Sequence, residues 1–300
     1  MARKHASSTK HSAVLSAAAA ALLALAGCAP ASSPAPDTNG TATGTGTGSA
    51  PSPLPGSHVH GIAVSGETSQ VLLATHDGLF DVTTAPATKI GGTNDLMGFT
   101  PGPSDGVFYA SGHPGPGSDL PNPLGLLKTS DGGKTWEPLS RQGESDFHAL
   151  TATQSGIVAF DGVLRTSPDG KTWTTVAADF APAVLASHPD STTVLATTQD
   201  GIQRSTDSGN TWTQLENGPV IQFAAFAHPA EAVGVEPDGT VHYSADAGET
   251  WTEHGRIDAE VMAIAALKGE DGRPWIWAAT ADGVMVSTDG GMIFRPADAD

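Results

Sequence analysis

The sequence predicts an all-β chain folded as a six-bladed β-propeller. Three observations carry that expectation: one short turn recurs five times, its period is near 40 residues, and each interval holds several short apolar strands. The turns are TSDGGKTW (129 to 136), SPDGKTW (167 to 173, one residue short), STDSGNTW (205 to 212), SADAGETW (244 to 251) and STDGGMIF (287 to 294). Their aspartates, Asp131, Asp169, Asp207, Asp246 and Asp289, lie 38, 38, 39 and 43 residues apart.

Each repeat resolves into the same elements in order. An inner strand (HGIAV, MGFTP, HALTA, AVLAS, FAAFA, MAIAA) precedes a second (VLLAT, VFYAS, GIVAF, TVLAT, EAVGV, WIWAA). A hairpin follows, usually marked by Asp-Gly, as at Asp77-Gly78, Asp161-Gly162, Asp200-Gly201, Asp238-Gly239 and Asp282-Gly283. The third strand (GLFDV, GLLKT, GVLRT, GIQRS, GTVHYS, GVMVS) enters the aspartate turn, and the fourth starts at its Thr-Trp. That makes six blades, the first without the turn.

The turn's chemistry is structural. Ser, Thr and Asp side chains bond the backbone of a tight turn, Gly supplies positive φ, and a Trp ring packs between sheets. Trp136, Trp173, Trp212 and Trp251 all serve this purpose. The signature resembles the Asp-box, or BNR repeat, found in the propellers of sialidases, xyloglucanases, sortilin-type receptors and photosystem-assembly factors. Because that spread includes enzymes and binding proteins, the repeat implies a fold and leaves function to the site. The stretches HVHGIAV, THDGLF, SGHPGPGSDLPNPLGL and DFHAL also resemble bacterial lipoproteins labelled glycosylhydrolase-like.

The first 56 residues look unlike a folded domain. Arg3, Lys4 and Lys10 precede a 13-residue apolar run, Ala13 to Leu25, which is short for a membrane span and has the layout of a secretory signal. The following Leu25-Ala26-Gly27-Cys28 resembles a lipobox, so residues 1–27 are expected to be cut away and Cys28 acylated. Residues 28–56, rich in Gly, Ser, Thr and Pro, cannot offset the entropy of ordering and are expected to form a disordered tether. The propeller is then expected over 57–300, monomeric, extracytoplasmic and held at the lipid bilayer by Cys28. Cys28 is the only cysteine, so the domain has no disulfide.

Three of the 14 basic residues leave with the signal, and the remainder face 32 acidic ones. A phosphate backbone needs a basic stripe that this chain lacks, which argues against nucleic acid as a partner.

The repeat sorts the histidines between the two ends of the propeller. His188 and His228 end inner strands at the aspartate-turn end, whereas His58, His60, His76, His113 and His148 fall on the opposite, funnel face of three consecutive blades. The loop at 111 to 125, the only long insertion, lies on that face too. These histidines with Asp146 are the expected ligand-binding set, for a small ligand, a glycan, a metal or an envelope protein. If a metal is held, the expected ligands are His58, His60 and His148, and Zn or Cu the expected ion.

An enzyme reading is weaker. Sialidases need three arginines, a tyrosine nucleophile, a glutamate partner and an acidic residue. Here Arg165, Arg204 and Arg273 fall on the aspartate-turn side, Arg295 lies in the last strand, only Arg141 and Arg256 can face the funnel, and both tyrosines lie within strands. A glycoside hydrolase with two carboxylates has the candidates Asp77, Asp119, Glu144 and Asp146.

Overall fold

The computed structural model describes residues 54–56 and 58–297. The expected signal, Cys28, nearly all of the expected tether and Asp298 to Asp300 lie outside the described residues. Between Val59 and Pro296 the chain forms 24 strands in six four-stranded sheets. Every sheet is built from four consecutive strands paired in order and antiparallel, so each blade is a meander closed on itself.

Alternation explains why the blades pack. Each strand turns one row of side chains towards the preceding blade and the other towards the next. Six apolar cores result, one at every junction. Leu72, Leu79, Leu96 and Phe108 join blades one and two; Leu126, Phe147 and Ile157 join two and three. The last core sets Ile62 and Leu73 of blade one against Ala263 and Trp277 of blade six and closes the ring. Among the described residues this closure uses apolar packing, with no strand shared between the first and last sheets. A fully buried leucine such as Leu73 stabilises the fold by about 1.5–3 kcal/mol.

The aspartate turns form as hydrogen-bonded loops. In blade four, Ser205 Oγ donates to Asp207 Oδ1 at 2.8 Å and accepts the Gly209 N–H at 2.9 Å. Asp207 Oδ1 also accepts the N–H groups of Asn210 (3.1 Å) and Thr211 (2.8 Å), while Oδ2 takes the Thr211 hydroxyl at 2.7 Å. Blade five repeats this arrangement around Asp246. Each turn's tryptophan packs back on the junction with the preceding blade: Trp136 on one–two, Trp173 on two–three, Trp212 on three–four and Trp251 on four–five. Phe294 takes that place at five–six. Blade one has no such turn, and Trp275 and Trp277 of blade six fill its junction instead.

Candidate functional site

The hairpins between second and third strands, together with the links between blades, share one end of the propeller. All five expected histidines sit there, in two groups. In the first group, His58 and His60 open the inner strand of blade one and His76 lies in that blade's hairpin. The hairpin is fixed by Thr75, whose hydroxyl donates to the Gly78 carbonyl at 2.9 Å and accepts the Asp77 N–H at 3.0 Å. The inner strand carries a bulge, because Val59 pairs with Thr75 and Gly61 with Ala74, leaving His60 without a partner residue. That bulge turns the His60 ring towards the hairpin.

The fourth member of this group is Asp95, the first residue of blade two's inner strand, Asp95–Pro101. His76 Nδ1 lies 2.7 Å from Asp95 Oδ2, His60 Nε2 lies 3.6 Å from Oδ1, and the two ring nitrogens are 3.3 Å apart. The rings of His76 and His58 meet edge to face at 5.2 Å. Burial and then the neighbouring His76 push His60 below the usual imidazole value, although Asp95 pulls the other way. Asp95 Oδ1 is buried with no hydrogen-bond partner among the described residues.

The second group repeats the design one blade on. His113 ends the second strand of blade two and reaches Asp146, before blade three's inner strand, at 3.2 Å. His148 Nε2 meets the same Asp146 oxygen, Oδ2, at 2.6 Å. Asn122, in the long loop, holds His113 Nδ1 at 2.7 Å, and Gly115 in that loop donates its N–H to Asn94 at 3.2 Å. The loop thus braces both groups. Asp146 Oδ1 is also buried and without a hydrogen-bond partner among the described residues.

Several expectations need correction. The metal trio of His58, His60 and His148 is not brought together: His60 joins His76 and Asp95, whereas His148 points at Asp146 a blade away. The carboxylate candidates lie in different settings. Asp77 donates its backbone N–H to Thr75 in the hairpin, Glu144 lies 3.4 Å from Arg141, Asp146 meets histidines, and Asp119 is exposed in the loop. Arg165 turns back to the hairpin end, where Asp161 takes its Nε at 3.1 Å; a four-residue strand is short enough for a long side chain to reach either end. Ser145 also donates to Asp161 at 2.6 Å, so this buried carboxylate neutralises the arginines beside it.

Asp95 is not among the residues expected from the sequence. Its signal is positional: HVHG, DLMG and DFHA align at the inner-strand starts, placing Asp95 and Asp146 in register with His58. A central channel of about 420 Å³ runs between the inner strands. It opens at the opposite end, near Glu67, Asp105 and His188, and of the five histidines only His60 lines it. This space follows from arranging six sheets around an axis, and its walls are mainly inner-strand backbone and apolar side chains.

No protein-family model matches the chain, and no curated protein sequence matches it. Among solved structures it is similar to the GH74 xyloglucanase from Xanthomonas campestris, with 16% identity and a TM-score of 0.53, covering 83% of this chain and 46% of that one. The chain therefore spans less than half the length of that enzyme. It is also similar to YCF48 bound to D1 peptide (16% identity, TM-score 0.50, 82% of this chain and 87% of that one). YCF48 from Cyanidioschyzon merolae gives 14% identity and a TM-score of 0.51, covering 78% and 96%. At these identities the likeness shows the propeller fold alone.

Proposed function

We propose that this chain is an Asp-box propeller, exported and anchored through an acylated Cys28, that works as a binding module. Its ligand seat is the hairpin end of blades one to three. One observation carries this reading: two carboxylates, Asp95 and Asp146, each bury an unpaired oxygen among five histidines at that end. A buried acceptor without a donor costs free energy, and a bound ligand supplies the missing partner.

The chemistry selects a cationic ligand. Carboxylates and imidazoles dominate the surface, and Arg141 and Arg165 are already paired with Asp161. That pairing leaves neither guanidinium free for an anionic sugar. Hydrolysis gains no support, because Asp146 is tied to histidines and Glu144 to Arg141. That a neighbouring structure of this architecture holds a peptide is compatible with a binding role.

The experiment is a thermal-shift panel of divalent cations, cationic peptides and neutral oligosaccharides. Cationic members are expected to raise the midpoint, less so in Asp95→Asn and His76→Ala and equally in a His188→Ala control. Stabilisation by neutral oligosaccharides alone, unaffected by those changes, would move the seat elsewhere.

A further inference from the structure

We propose that His60, His76 and Asp95 bind one divalent transition-metal ion of the class that takes imidazole nitrogen and carboxylate oxygen together. The proposal rests on the reading of this end as the binding face and names its ligand.

Geometry comes first. Around a four-coordinate ion with bonds of about 2.0–2.1 Å, ligand atoms sit roughly 3.3 Å apart. His60 Nε2 lies 3.3 Å from His76 Nδ1 and 3.6 Å from Asp95 Oδ1. The third side, His76 Nδ1 to Asp95 Oδ2, is shorter at 2.7 Å and lengthens when an ion sits between the two atoms.

Counting protons leads to the same conclusion. Two ring nitrogens face each other, and a hydrogen bond between them uses one hydrogen, so one must present its lone pair. Asp95 Oδ1 is buried and has no hydrogen-bond partner among the described residues. The group holds more acceptors than donors, and a cation at its centre satisfies them together. The neighbouring group also has a buried oxygen, Asp146 Oδ1, without a hydrogen-bond partner among the described residues, but its ring nitrogens do not face one another across an open position. There His113 and His148 share one oxygen of Asp146, and Asn122 occupies the other nitrogen of His113.

Ligand type then narrows the ion. Ca²⁺ and Mg²⁺ favour shells of oxygen, whereas two imidazoles and one carboxylate suit Zn²⁺, Co²⁺, Ni²⁺ or Cu²⁺. Three protein ligands leave a position open to an incoming group or to His58, whose ring lies 5.2 Å from that of His76. The backbone makes the placement specific, because His60 occupies the bulge and Asp95 comes from the next blade.

The test uses the full chain, purified in detergent and stripped with a chelator, then titrated with Zn²⁺ and Co²⁺. One ion per chain is expected, with Co²⁺ giving visible absorption. His60→Ala and Asp95→Asn should weaken binding by at least about 100-fold, beyond what outer-shell changes cost, and His188→Ala should leave it unchanged. Thermal melts of each variant separate loss of the site from loss of the fold. Absence of uptake, or uptake unchanged in both site variants, overturns the proposal. If metal fails while a cationic peptide still binds at this end, only the metal assignment falls; if neither binds, the binding-face reading falls with it.

Discussion

His76 Nδ1 lies 2.7 Å from Asp95 Oδ2 across the boundary between blades one and two, and His113 Nε2 repeats that step to Asp146, at 3.2 Å, across the next. In both places a hairpin histidine of one blade meets an aspartate before or at the start of the following inner strand. The relation comes from the repeat, since both histidines occupy one register position and both aspartates another. The site is therefore an inter-blade feature whose geometry depends on how firmly consecutive sheets are packed.

That dependence makes the aspartate turns structural. Trp212 packs on the core between blades three and four, and its Nε1 donates to the Gly209 carbonyl at 2.9 Å. Trp212→Ala is expected to cost about 3–5 kcal/mol. Asp207→Ala removes the bonds that hold the turn and is expected to cost about 1–2 kcal/mol. Urea denaturation of the two variants measures both, and ligand affinity per folded molecule should stay constant. Unchanged midpoints combined with lost binding would make the turns functional instead.

The same turns set an acid limit. Bonds from the Thr135 hydroxyl and N–H, with Thr129, hold Asp131 at about 2, below the ordinary 3.8. Burial pushes Asp246 up, but bonds from Thr250 and Ser244 outweigh it and bring that residue also to about 2. A carboxyl whose folded value lies below its unfolded one contributes stability above the unfolded value and loses it as pH falls through the folded one. The loss is thus expected between roughly pH 4 and 2. Urea midpoints followed over that window should fall less steeply in an Asp131→Asn, Asp246→Asn double variant. Parallel curves would place the acid sensitivity in other groups.

Much of this was legible in the sequence for a physical reason. A turn that needs Ser or Thr, Asp, Gly and Trp at fixed offsets leaves those letters visible, and alternating strand direction carried the five histidines to one end. Pairing across blades was less visible. Asp95 has no unusual neighbour, and only the alignment of inner-strand starts marks it. The bulge at His60 shows in the letters only as the glycine that follows. Arg165 reaches Asp161 at the hairpin end, against the expectation from its position, because a sequence position does not say which way a flexible side chain turns.

Anchoring is tested outside the described residues. Cys28→Ala should abolish incorporation of a labelled fatty acid and shift the processed chain to a different mass. Lipid labelling of that variant at the level of the unchanged chain would remove the lipobox assignment.

The bulge yields the most demanding prediction. Blade two has the same bulge as blade one, since Leu96 pairs with Gly112 and Gly98 with Ser111, leaving Met97 where blade one has His60. The hairpin histidine, His113, and the aspartate of the next blade, Asp146, are already in place beyond it. Met97→His should therefore place an imidazole at the bulge position of blade two, as His60 does in blade one. In the stripped chain, Zn²⁺ uptake is expected to rise from one ion to two, and adding His60→Ala should return it to one. The melting midpoint without metal monitors the packing around this half-buried position. A folded variant that still takes up a single ion would show that register alone does not build the site, and that the pairing of His60, His76 and Asp95 depends on features peculiar to blade one.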